Sequence, residues 1–64
     1  MATTDTDREI YDRLMGDPET CRLVEILAWE IRQGDATTRK AAETSLHDYA
    51  TRAEIAAVKR WIKR

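Results

Sequence analysis

The chain has 64 residues, 42% apolar and 36% charged, with eleven basic and twelve acidic side chains, one histidine and one cysteine. That length supports a single domain with a small core, and mixed-sign charge beside an ordinary apolar fraction argues against global disorder. One thiol excludes an internal disulfide and fits a reducing, cytoplasmic setting, while short apolar runs and the polar start Met-Ala-Thr-Thr-Asp-Thr-Asp lead us to expect neither an export signal nor a membrane partner.

Only two glycines and one proline interrupt an apolar spacing of three and four, which predicts an all-α fold: a small three- or four-helix bundle, single domain over 1–64, with 1–5 as a disordered tail. The first helix is expected to start near Thr6, where Thr6-Asp7-Arg8-Glu9 has capping-box spacing. It should end before Gly16, a residue able to adopt the left-handed C-terminal conformation, with Ile10, Leu14 and Met15 as its buried stripe. Asp17 and Pro18 form a strong start signal for the second helix, N-cap followed by proline at the first turn, and Gly34 ends it. Asp35 can cap a third helix through about Ala50, burying Ala42, Leu46, Tyr49 and Ala50. Thr51-Arg52-Ala53-Glu54 is a second capping box that would open a fourth. Residues 36–64 contain neither glycine nor proline, so the alternative is one helix of about 29 residues, roughly 43 Å long, whose overhanging apolar side would require a dimer.

A helical wheel of the second helix, about 100° per residue, gathers Cys21, Leu23, Val24, Leu27, Ala28 and Ile31 on one arc. Ile26 and Trp29 fall on the opposite side, among Arg22, Glu25, Glu30 and Gln33. They are therefore either covered by another part of the chain or presented to a partner, and tryptophan is enriched where partners bind most tightly. In the fourth segment Ile55, Val58 and Ile62 form a core stripe with Trp61 at its edge. Arg52, Lys59, Arg60, Lys63 and Arg64 form a basic surface opposite, suited to an acidic partner, to phosphates, or simply to the negative end of the helix dipole.

Charge is also segregated along the chain: residues 1–35 hold four basic and nine acidic side chains, residues 36–64 seven basic and three acidic. This predicts a dipolar molecule able to orient itself on a charged partner. The acidic surface Asp5, Asp7, Glu9, Asp12, Asp17 and Glu19 can imitate phosphates in a nucleic-acid channel, although acidic first turns are also ordinary helix chemistry.

Catalytic equipment is sparse. Cys21 and His47 lie on different segments with no supporting signature, and Glu43, His47 and Asp48 offer too few ligands for a stable zinc site, so neither enzyme activity nor a metal or other cofactor is expected. Gly16 and Gly34 are isolated and form no phosphate-cradling loop. A helix-turn-helix centred on Gly34 would place charged Arg39 and Lys40 where side chains should pack inward.

In size and composition the chain resembles, in character only, small accessory proteins of bacteria, archaea and their viruses, among them inhibitors such as anti-CRISPR proteins; no motif carries the likeness further. The reading that follows is a non-catalytic protein-binding regulator or inhibitor, directed at a nucleic-acid-handling complex, with Ile26, Trp29 and Trp61 as anchors. The alternatives are a nucleic-acid-binding transcriptional regulator using the basic C-terminal helix, and a structural or assembly subunit. Homodimerisation is open to each, because a core this small is often only marginally stable alone.

Overall fold

A computed structural model describes residues 5–64 as four helices: α1 Asp5–Met15, α2 Pro18–Gln33, α3 Ala36–Leu46 and α4 Arg52–Lys63. The protein is thus an all-α bundle, with no strand among the described residues. Residues 1–4 of the expected tail lie outside the described residues. Asp5, assigned to that tail, is instead the first residue of α1, so Thr6 sits inside the helix and is not its cap.

Local chemistry explains the other boundaries. The Asp17 carboxylate accepts from the Glu19 backbone N–H at 3.0 Å while Pro18 occupies the first turn, where a missing N–H costs nothing. At the other end of α2, Gly34 takes a left-handed conformation (φ 87°) and donates its N–H to the Glu30 carbonyl at 2.7 Å. Asp35 then caps α3 by accepting from the Thr37 and Thr38 N–H groups and from the Thr38 hydroxyl.

The break between α3 and α4 is real, which rules out the single long helix. Glu54 donates its backbone N–H to the Thr51 hydroxyl at 3.1 Å, and its carboxylate accepts from the Thr51 N–H at 2.8 Å, completing the capping box. Two expectations are corrected here. The third helix stops at Leu46, not near Ala50, and residues 47–50 turn with Tyr49 and Ala50 both donating to the Leu46 carbonyl. That turn aims Ala50 inward and leaves Tyr49, expected in the core, 52% exposed.

α1 ends before Gly16 as expected, but Gly16 does not take the left-handed conformation open to it. It has no positive φ; α1 closes in a tightened turn in which the Gly16 N–H is shared by the Asp12 and Arg13 carbonyls. A side chain at Gly16 would meet only ordinary contacts, whereas Gly34 holds a conformation that L residues rarely adopt.

α2 is the central element, packed against α1, α3 and α4, while α1 also lies along α4. Val24 and Leu27 of α2 meet Leu14, Ala42, Leu46, Ala50, Ile55 and Val58 in the core, with Ile10, Met15, Leu23, Ile31 and Ile62 packed at its margin. Thr20 is fully buried in α2, and its hydroxyl donates to the Leu14 carbonyl, fastening the start of α2 to the end of α1.

Two sets of outcomes follow. Gly34→Ala should lower the thermal midpoint by several degrees and Gly16→Ala should leave it unchanged or slightly raised, as read by circular dichroism; equal effects would contradict the different backbone states. The cap hydrogen bonds, chiefly from the Thr38 hydroxyl, hold Asp35 below its ordinary carboxylate value of 3.8. Its contribution is therefore fully present above that value and lost as pH falls through the lowered one. The midpoint gap between wild type and Asp35→Ala should be constant from neutral pH down to the carboxylate range and narrow below it.

Candidate partner-binding surface

The second helix is long enough to present two faces. Thr20, Val24 and Leu27 are buried, so Arg22, Ile26 and Trp29 must point the other way. The tight Gly34-Asp35 turn returns α3 alongside, and between the two helices runs a shallow groove lined by Arg22, Glu25, Ile26, Trp29, Glu30 and Thr38. A neighbouring cleft shares Ile26 and Thr38 and continues over Leu23, Ala41, Ala42 and Ser45. Small residues on the α3 wall keep it low, which leaves Ile26 37% and Trp29 61% exposed. The α3 wall covers much of Ile26, while Trp29 stands mostly in solvent.

Trp61, the third expected anchor, is elsewhere. It is half-buried where α4 meets α1, its ring 6.3 Å from that of Tyr11, and the Arg64 guanidinium lies 3.9 Å from its centroid. Arg64 also donates to the Trp61 carbonyl at 2.7 Å, so the last residue of the chain folds back over the indole. The structure brings Ile26 and Trp29 together and keeps Trp61 with the α1–α4 contact.

The charged surfaces are rearranged most. Asp7, counted with the acidic surface, is 3% exposed, and Arg60 of the basic surface grips it with Nε at 3.0 Å and Nη2 at 2.9 Å. Hydrogen bonding to that carboxylate raises the Arg60 pKa above its ordinary value. Neither residue is a free surface charge. The reason is geometric: α1 and α4 pack antiparallel, with Asp7 meeting Arg60 at one end and Arg13 pairing with Glu54 at the other.

Lys59 is engaged too, its ammonium 2.8 Å from Oε1 of Glu43, a close ion pair whose angles fall outside hydrogen-bond geometry. Of the basic set, Arg52 and Lys63 are exposed, and Arg64 is stacked on Trp61. Of the acidic set, Asp5, Glu9 and Asp12 share one exposed side of α1 with Arg8, which is 3.7 Å from Asp12; Asp17 is the α2 cap, and Glu19 is exposed in the next turn. The segregation along the chain is therefore partly cancelled in space.

Cys21 is half-buried one turn into α2, with its thiol 3.4 Å from Glu25 Oε1. Desolvation, then the hydrogen bond and negative charge of Glu25, push its pKa up from 9.0, opposite to what a nucleophile at a helix N-terminus needs. Among the described residues, no three His, Cys, Asp or Glu side chains converge as a metal site, and no helix is long and apolar enough to cross a membrane. Comparison with protein-family models, with curated proteins and with solved structures finds no match for this chain.

Alkylation by iodoacetamide near pH 8 should be slower at Cys21 than in a short unstructured peptide, and Glu25→Gln should speed it. A rate equal to the peptide's, indifferent to that substitution, would contradict the Cys21–Glu25 contact.

Proposed function

We propose that this chain is a non-catalytic regulator or inhibitor that works by stoichiometric binding to protein, with Ile26 and Trp29 as its anchors. The observation that carries the reading is the 61% exposure of Trp29 on the outer face of the central helix, beside Ile26 in the α2–α3 groove. Leaving an indole in water forfeits burial that an aromatic of that size would otherwise gain, and such residues supply much of the energy where proteins meet. Trp61 belongs to the internal α1–α4 contact and serves the fold.

A nucleic-acid-handling complex remains the target class for this reading, approached by the exposed Asp5, Glu9 and Asp12 side of α1. Direct nucleic-acid binding by α4 is the weaker reading. Lys59 and Arg60 are held by Glu43 and Asp7, which leaves few cations to neutralise phosphates.

Capture of a protein partner from the native host, followed by affinity measurement with the purified pair, tests the proposal. Trp29→Ala should keep the far-ultraviolet spectrum and thermal midpoint of wild type, as an exposed site allows, yet weaken binding by about 30-fold or more. Equal loss of folding and capture would assign Trp29 to the core, and unchanged capture would remove it as an anchor.

A further inference from the structure

We infer that the occupant of the α2–α3 groove is a second copy of this chain, related by a two-fold axis beside Ile26 so that the two α2 helices run antiparallel. The inference rests on the reading of Ile26 and Trp29 as anchors and names what covers them in the free protein, a second copy that a protein target displaces on binding. A two-fold contact uses the same patch on both copies, so that patch must be complementary to itself.

The outer face of α2 has this property. Arg22, Ile26 and Glu30 follow one another at intervals of one helical turn, basic, apolar and acidic. At the usual rise, Arg22 and Glu30 stand about 6 Å along the axis on either side of Ile26. Reversing one helix over another across Ile26 therefore brings Arg22 of each copy level with Glu30 of the other, twice over. Ile26 meets its own counterpart, and Gln33 comes level with Glu19.

Trp29 fits the same arrangement. On a wheel it lies to the same side of Ile26 as Arg22, while Glu30 and Leu23 lie to the other. The two-fold keeps each side facing itself, so the indole of one copy comes level with the Arg22 guanidinium of the other on the same side of the seam, and that guanidinium can cover its face. The small side chains of Ala41 and Ser45 on the adjoining wall let a second helix approach closely. A parallel pairing would instead set Arg22 against Arg22 and Glu30 against Glu30, and like charges held level repel.

Mass in solution over a micromolar to millimolar series, by sedimentation or light scattering, tests this with circular dichroism as a folding control. Wild type should approach twice 7.4 kDa as concentration rises. Arg22→Glu and Glu30→Arg should each weaken association by at least about tenfold, and combining both substitutions in one chain should restore it. A mass of one chain throughout, or a dimer that neither reversal weakens, overturns the second-copy inference. A monomer that still loses a purified protein partner on Trp29→Ala ends the second-copy inference alone. A dimer and a partner complex that both survive Trp29→Ala end the anchor reading as well.

Discussion

Closure of α1 against α4 rests on a buried carboxylate. Asp7 is almost wholly removed from water, a position a charged side chain tolerates only when it is paired and hydrogen-bonded, and the Arg60 guanidinium meets it with two nearly parallel bonds. Arg13 and Glu54 repeat the pairing at the other end with the charges exchanged. Because the order is acid then base on α1 and acid then base again on α4, only the antiparallel arrangement matches opposite signs at both ends. A parallel one would set Asp7 against Glu54 and Arg13 against Arg60. Charge thus specifies the direction of a contact whose energy comes mainly from Leu14, Ile55, Val58 and the apolar residues around them.

That closure decides what the surface can offer. Part of the charge that separates the two halves of the sequence is used inside the bundle, through Asp7, Arg60, Arg13 and Glu54, and through Lys59 with Glu43. What remains outside is a side of α1 carrying Asp5, Glu9 and Asp12, and the apolar strip of α2. Since α1, α3 and α4 all pack around the inner side of α2, its outer face is the part of the central helix that the described chain leaves uncovered.

Much of this was legible in the residues themselves. Asp17-Pro18, Gly34-Asp35 and Thr51 through Glu54 mark helix ends by short-range chemistry, and each works as the spacing predicts. The wheel of α2 also separated Ile26 and Trp29 from the core arc, because helical periodicity alone determines which residues share a face; whether another helix covers them depends on the packing. Asp7 looked like one more acidic residue in a first turn, since nothing local marks it as buried; its partner lies 53 positions away. The shared acid-then-base order of Asp7 with Arg13 and of Glu54 with Arg60 was the available signal, and it becomes informative only once α1 and α4 are known to be neighbours. Tyr49 was misplaced because α3 was extended past Leu46, where the chain leaves helical phase. Thr20 went unnoticed because a threonine whose hydroxyl bonds a carbonyl of the preceding helix has no sequence signature.

Asp7 and Arg60 act as one unit across α1 and α4. A double-mutant cycle in thermal stability, with Asp7→Asn, Arg60→Gln and the two combined, tests that most directly. Each single substitution should lower the midpoint, and the combined variant should be hardly less stable than the worse of the two. Losses that simply add would contradict this, showing that the two residues stabilise the fold independently.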